Sequence, residues 1–421
     1  MATGATITLL DSVIKKYIDS EFQEGYDDHF PVLRDAIKHT PGKHQGNTVQ
    51  FPSLIHNDEV RDATSEGSNV GAEEYKTSGV KATLAKYGKK TEPTIESMGV
   101  SLEGFAKRMS GAITRQAKRS MEVLTIDAMG YGAAAIRADR DANYESLAFA
   151  TDVGAATTAN VFTSTSLVAV DDQYNSGRCA VISGSGQGQC RTVHDYTGAT
   201  GIVDTGNSGV MAPFNEALDF TTEKDEPNTQ DSYSLVSSPK GLSSSDILSS
   251  DVISRGQFFH ENHFNTEPND GANDWVLYLT PFGRRDLYDH DQSFRRVMEN
   301  YRGEFFDNPD NSMAHYLNTT IKKINKGFRC GNGGATGDAA YSATGSVHFF
   351  PLCGKDSHYI TDIKLWDKSK SPGALTFFTV TRPDSNNPDL AYIVMGWVMY
   401  FAAIPTFCTR IVNLMCGTSQ S

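Results

Sequence analysis

No stretch of this sequence is both long and apolar enough to cross a bilayer. The longest apolar run, Tyr392 to Pro405, is too short for that and rich in aromatic and β-branched residues, so it reads as a buried strand. The first residues, Met1-Ala2-Thr3-Gly4-Ala5-Thr6, lack the basic start and apolar core of a secretory signal, so no membrane or export role is expected. Cysteine is sparse: 6 residues, at 179, 190, 330, 353, 408 and 416, with no CxxC pair and no zinc-type spacing, which argues against a structural zinc and suits reduced thiols in a cytoplasm. Cys179 and Cys190 flank the turn Ser183-Gly184-Ser185-Gly186 at equal distance, and a hairpin there makes them either a disulfide or two free thiols. Positive charge is also short. The net charge of -13 argues against a protein whose main task is gripping phosphates.

Catalytic signatures are missing too. Gly184 to Gly188 does not end in the Gly-Lys-Ser/Thr of a phosphate loop, nor does it open a helix as a dinucleotide fingerprint does, so it reads as a tight β-turn. His260 and His263 stand one residue closer than the two histidines of HExxH and read as structural. Carboxylates cluster at 270–274, 286–291 and 307–310 without the alternating ligand order of a calcium loop; they read as solvated turns. No Gly-x-Ser-x-Gly elbow is present. No cofactor, no metal and no catalytic residue is nominated, and the chain is read as a non-enzyme.

What is present is an ordinary globular composition, 38% hydrophobic and 21% charged with a mean hydropathy of -0.40, long enough for two or three packed units. Its most telling stretch is Gly46 to Arg137. An outgoing strand, Thr48 to Ile55, puts Val49 and Phe51 on one face, and Pro52 argues for an edge position. A return strand runs from Gly79 to Gly88. Between them, His56 to Ser78 is acidic and polar with almost nothing to fill a core, so it rests on water or on another chain. A two-stranded ribbon alone is marginal, which favours a partner surface. A helix is then expected from Met98 to Met129. Leu102, Phe105, Met109, Ile113, Met121 and Leu124 recur at three- and four-residue steps, and Lys107, Arg108, Arg115, Lys118 and Arg119 lie opposite. Gly104 and Gly111 inside the pattern mark a break or a close backbone approach.

Elsewhere, Ile7 to Ile18 is amphipathic and opens an N-terminal arm. Residues 161–236 alternate short β-runs with Gly, Asn and Asp turns, a small all-β unit. From Ser243 the chain turns helical to Phe264; Trp275 to Leu279 reads as a strand and Pro281 as the start of another helix.

The order Gln45-Gly46-Asn47-Thr48-Val49-Gln50-Phe51, Ala63-Thr64-Ser65-Glu66-Gly67, Val80 to Lys89, then a helix with Ala117 to Ala128, resembles tailed-phage major capsid proteins of the N4-like group, which have the HK97 fold. Phe350-Pro351-Leu352-Cys353-Gly354-Lys355-Asp356, the turn Asn387-Pro388-Asp389 and the run from Ala391 to Ala403 through Gly396-Trp397 resemble the family's C-terminal part. The resemblance implies an α+β HK97-like chain: N-terminal arm at 1–45, extended loop at 46–95, peripheral domain with the spine helix at 96–160, inserted β-domain at 161–237, axial domain at 238–390, and the closing strand of the peripheral domain with the C-terminus at 391–421. It also implies self-assembly into hexamers and pentamers of an icosahedral shell enclosing double-stranded DNA without sequence-specific binding, assembled in the host cytoplasm and resident in the virion. A scaffolding protein and a portal are the implied partners, with a decoration protein as a further candidate at the β-insertion. An acidic inner wall would let packaged DNA slide. Phe51, Leu54, Leu84 and Tyr87 are the candidates for apolar subunit contacts, and Arg108, Arg115 and Arg119 for polar ones. The alternatives are another virion component, a tail or decoration protein, and a glycan hydrolase, which would need a pocket with two facing carboxylates.

Overall fold

The three- and four-residue apolar spacing after Gly104 does become a long helix. In the computed structural model the described residues are 30–39, 48–54, 77–92, 105–139, 148–150, 153–158, 161–164, 171, 174–175, 177–181, 190–204, 233–236, 242, 245–262, 264, 266–269, 274–300, 312–324, 328–329, 347–362, 375–380 and 394–417. The described α-helices are α1 (Pro31–Asp35), α2 (Phe105–Tyr131), α3 (Ser250–Asn262), α4 (Pro281–His290) and α5 (Gln292–Asn300). The chain forms two units: Met1–Asn47, Thr83–Thr125 and Ile360–Ala403 in the first, and Thr48–Ala82, Ile126–Tyr359 and Ile404–Ser421 in the second. The amphipathic run from Ile7 to Ile18, the acidic segment 56–76, and residues Met98 to Gly104 lie outside the described residues.

In the first unit, α2 turns Ser110, Ile113, Thr114 and Ala117 inward and leaves Arg115, Gln116 and Arg119 exposed. Thr114 Oγ1 donates to the Ser110 carbonyl at 3.0 Å, so the inward face carries a hydroxyl without leaving it unsatisfied. At Gly111 the helix continues unbroken and a Cβ would meet nothing within 4 Å; neither the break nor the close approach expected there occurs. A five-stranded sheet of Ile37–His39, His358–Asp362, Val394–Pro405, Leu375–Val380 and Ala85–Thr91 accompanies the helix. The apolar run read as a strand is its core. Met395, Trp397, Met399 and Phe401 are buried at alternate positions, whereas Val394, Val398 and Tyr400 are half-buried. Trp397 Nε1 donates to Gln116 Oε1 of α2 at 3.5 Å, so the tryptophan's face is the one beneath the helix. Each large apolar side chain buried there contributes about 1.5–3 kcal/mol. Gly88 pairs opposite Val398, and a Cβ on it would sit 2.8 Å from the Trp397 carbonyl oxygen, a backbone atom that cannot step aside.

The second unit is built on a seven-stranded sheet. Its path runs Ser312–Tyr316, Thr319–Lys323, Trp275–Leu279, Val347–Cys353, Ile411–Gly417 and Ala134–Arg137, with Phe328–Arg329 also paired to Val347–Cys353. Trp275–Leu279 and Ile411–Gly417 are buried at every position, which is why they read as continuous apolar runs without alternation. Helix α3 packs on this sheet through Gly256, where a Cβ would lie 2.9 Å from both Leu352 Cδ2 and Leu414 Cδ2. Within 391–421, Val394–Pro405 belongs to one sheet and Ile411–Gly417 to another.

Two four-stranded sheets hold the β-rich block. One has the order Cys190–Thr192, Arg178–Val181, Tyr233–Val236, Ala148–Ala150; the other Asp195–Thr197, Ile202–Asp204, Val161–Ser164, Val153–Thr158. Strands at 148–150 and 153–158 thus join the block earlier than the turn signals suggested; Gly and Ala in Val153–Thr158 hide its β-character. The block is docked on the rest of its unit. Buried Arg178 donates from Nε and Nη2 to the Gly130 carbonyl at 3.2 and 3.1 Å and lies 5.5 Å from the Phe349 ring centre. Asn413 Nδ2 adds 3.0 Å to the Met129 carbonyl, so two side chains satisfy carbonyls left open at the end of α2.

The strand register also decides the cysteine pair. Cys190 stands opposite Ala180, and Cys179 opposite Arg191, so the two sulfurs point to opposite faces of the sheet. Both are buried and neither is in a disulfide; the disulfide alternative between them is corrected to two unbridged thiols. Equal distance from the turn was misleading because the pairing is offset by one residue, which reverses the face.

Candidate functional site

The extended loop and the helix after it remain the surfaces on which function is sought. Thr48–Leu54 and Thr77–Thr83 form a two-stranded sheet, with no third strand paired to it among the described residues. A ribbon of two strands alone is marginal, and outer edges without a strand partner are where a covering surface would lie. The return strand passes Leu84 and continues as Ala85–Thr91, where seven residues from Ala85 to Thr91 pair antiparallel with Phe401 to Met395. The return strand thus leads directly into a strand of the five-stranded sheet.

The candidate contact residues divide. Phe51 and Leu54 lie on the outgoing strand, and their side chains are outside the described residues. Leu84 is 6% exposed, so it is interior to its own chain and is corrected from a contact candidate to a core residue. One-face periodicity located an apolar position without saying what covers it. Tyr87 is half-buried opposite Met399, and burial raises the pKa of its hydroxyl. Arg115 and Arg119 are exposed on α2; Arg108 lies on the same helix with its side chain outside the described residues. Lys86, Lys89 and Lys90 are exposed on Ala85–Thr91. Of the expected basic stripe, Arg115 and Arg119 are exposed, whereas Lys118 is not part of that surface: it is 7% exposed and its Nζ lies 5.8 Å from the Phe30 ring centre.

The chemical candidates take structural roles. His260 is fully buried, stacked on Trp275 at 4.5 Å, with Nε2 3.0 Å from the Leu352 carbonyl; burial lowers its pKa to about 4, and the hydrogen bonds to Leu352 and Thr409 only moderate this. His263, the Gly184–Gly188 turn and 307–310 fall outside the described residues, as do 270–273. Within 286–291, Asp289 pairs with Arg285 at 3.2 Å on the surface, whereas Asp291 is buried and accepts three backbone N–H bonds: from Ser250 at 2.7 Å, Ser293 at 2.9 Å and Phe294 at 3.1 Å. That carboxylate caps the starts of α3 and α5 together. Among the described residues Ser357 Oγ lies 2.8 Å from His358 Nδ1, but the residues are 7% and 2% exposed and so closed to a substrate. No cluster of three metal-ligating side chains occurs among the described residues, and no described helix is long and apolar enough to cross a membrane.

Asp291 and Glu122 were the residues that sequence reasoning missed. Asp291 carried a faint signal, an acid just before a helix with Ser and Phe following. Glu122 carried none.

No family model matches the chain, and no curated protein matches it. Solved structures do. The capsid asymmetric unit of cyanophage Pam1 superposes with a TM-score of 0.50 at 11% identity, covering 90% of this chain and 87% of that one. The capsid of Ralstonia phage GP4 gives 0.49 at 12% identity over 92% and 90%, and that of cyanophage P-SCSP1u 0.45 at 11% over 92% and 88%. At such identities the likeness speaks for architecture, and it spans nearly the whole chain. The mixed α+β chain, with its ribbon leading into a sheet, its long helix and its second sheet, has the fold of a phage capsid subunit, the HK97-like fold.

Proposed function

We propose that this chain is a major capsid protein that assembles into the hexamers and pentamers of an icosahedral shell around double-stranded DNA. The observation that carries the reading is the fold match to the Pam1 capsid subunit over 90% of the chain. The paired ribbon at Thr48–Leu54 and Thr77–Thr83 supports it, since edges with no described partner strand suit a loop laid over an adjacent subunit. Residue order from Gln45 to Lys89 and from Phe350 to Ala403 resembles that of the N4-like group and supports reading the chain as one of its members. In this reading 1–45 is the arm, 46–95 the extended loop, 96–160 with the closing strand the peripheral domain, 238–390 the axial domain, and the β-block an outward insertion that meets a neighbour or a decoration protein. A scaffolding protein and a portal complete the assembly. The protein works by burying surface and not by turning over a substrate.

Phe51, Leu54 and Tyr87 supply apolar contacts, and Arg108, Arg115 and Arg119 polar ones. Electron microscopy of the full chain expressed with its scaffolding partner tests this: closed shells or capsomers are expected, and a stable monomer under all assembly conditions rejects it. Reversing both exposed arginines, Arg115→Glu with Arg119→Glu, is expected to lower shell yield at least tenfold while leaving the circular dichroism of the subunit unchanged. Normal shells from that variant would remove these two residues from the interface.

A further inference from the structure

The exposed face of α2 carries charge of one sign. Among its described residues the exposed ones are Ala112, Arg115, Gln116 and Arg119, a spacing that puts all of them on one side of the helix, and none is acidic. Beside that face Trp397 Nε1 donates to Gln116 Oε1 at 3.5 Å. Lys89 stands directly opposite Trp397 in the strand register, so its side chain leaves the sheet on the same side, and it is exposed. Lys89, Arg115 and Arg119 thus flank one tryptophan–glutamine contact, on a chain whose net charge is -13.

The opposite charge is concentrated in the sequence between the ribbon strands Thr48–Leu54 and Thr77–Thr83. Residues 56–76 hold six carboxylates, Asp58, Glu59, Asp62, Glu66, Glu73 and Glu74, against two basic side chains, Arg61 and Lys76. Copies of a strongly acidic chain repel one another unless association lays acidic surface on basic surface. We propose that the basic face formed by Lys89, Arg115 and Arg119 is the seat of the acidic segment 56–76 of a second copy of this chain. This rests on reading the chain as a shell-forming subunit, and it names which two surfaces of neighbouring copies meet and by what chemistry. Arginine suits such a seat, because its planar fork takes a carboxylate through two parallel hydrogen bonds. Each exposed pair is weak alone and screened by salt, so the contact fixes register and orientation between copies more than it adds affinity.

Charge reversal on both sides tests the pairing in the full chain expressed with its scaffolding partner. Arg115→Glu with Arg119→Glu reverses the face, and Asp58→Lys with Asp62→Lys and Glu66→Lys reverses the segment. Either set alone is expected to lower shell yield about tenfold or more at low salt, and the two sets together to restore it to within about threefold of the wild type. Wild-type shells without restoration in the combined variant overturn the pairing and leave the capsid reading standing. So do normal shells lacking DNA from the face-reversed variant, which would give the face to DNA instead. A wild type that forms neither shells nor capsomers rejects the capsid reading, and the pairing with it. Where a variant does not fold, the wild type decides alone: particles co-assembled from chains labelled with light and heavy nitrogen are treated with a carbodiimide, which joins an amine to a carboxylate in contact with it. Links from Lys89 to carboxylates of 56–76 across the two isotopes are expected; links within one chain only, or none, overturn the proposal.

Discussion

Two buried carboxylates do the same job with opposite electrostatic outcomes. Asp291 and Glu122 each accept backbone N–H groups at helix starts that lack a complete local cap. For Asp291, burial alone would raise the pKa, but backbone and side-chain hydrogen bonds from Ser250, with those from Phe294 and Ser293, outweigh it and the value is lowered. For Glu122, burial outweighs the bonds from Leu33 and Val32, Asp35 adds to it, and the value is raised to about 7. The difference lies in how far each charge is taken out of water and in the number of donors it collects. A carboxylate given three N–H groups and two hydroxyls keeps its charge inside the protein; one given two N–H groups beside another acid holds it poorly. The first joins α3 and α5 through a carboxylate whose charge is favoured, the second joins α1 to α2 through one whose charge burial disfavours.

The largest expected effect comes from removing the richer joint. Asp291→Ala leaves the Ser250, Ser293 and Phe294 N–H groups without an acceptor in a buried place and is expected to destabilise the second unit by about 2–4 kcal/mol, the sum of two lost caps. A shift in the urea midpoint measures it. Because the folded pKa of Asp291 is lowered, its contribution is present above the ordinary aspartate range and is lost as pH falls through the folded value. A loss below 0.5 kcal/mol, on the order of a surface change, would show that the triple cap is not what holds the α3–α5 junction.

A similar size is expected from His260, through acid and not through mutation. Its pKa is lowered to about 4 by burial, so the neutral ring is the folded form, and protonation is driven by unfolding once pH drops below the ordinary histidine value. Stability is therefore full above about 6.5 and declines as pH falls towards 4, by on the order of 3 kcal/mol in all. Replacing His260 by Gln, which can still donate to the Leu352 carbonyl, is expected to cost packing against Trp275 at neutral pH yet flatten the acid limb between pH 6.5 and 4. An unchanged acid limb would move that sensitivity to another group.

How far these features could be read in the sequence depends on whether their partners are near in the chain. The helix from Phe105, the alternation of Met395, Trp397, Met399 and Phe401, and the doubly buried strand Trp275–Leu279 follow from local periodicity, because one face or both faces must leave water. Capping by Asp291 across 41 residues and by Glu122 across 90 leaves no periodic trace, since any solvated acid looks the same on paper. Leu84 belonged to a visible apolar face, but whether its own chain or a neighbour covers that face is a tertiary fact. The cysteine pair failed on one residue of register. Of the candidate site, the existence of loop and basic helix was legible, whereas the inward turn of Lys118 beneath Phe30 was not.

The smallest expected effect is the one that separates the two carboxylates most sharply. If donors per charge decide the outcome, then making each side chain neutral without changing its shape should have unequal consequences. Asp291→Asn removes a charge that three N–H groups and two hydroxyls were arranged to hold, and turns one acceptor into an NH₂ facing a donor; a loss of about 1–3 kcal/mol is expected at pH 7. Glu122→Gln removes a charge that its site disfavours. Because Glu122 too accepts through both oxygens, its amide also turns an NH₂ towards one of the Val32 and Leu33 N–H groups, so a loss of about 1 kcal/mol is expected at pH 7, smaller than that of Asp291→Asn because the charge removed is one that burial disfavours. Urea unfolding of both variants at pH 6, 7 and 8 measures this directly. Equal losses at every pH would mean that shape, and not charge, governs both joints, and the contrast between a cap whose charge is favoured and one whose charge burial disfavours would disappear.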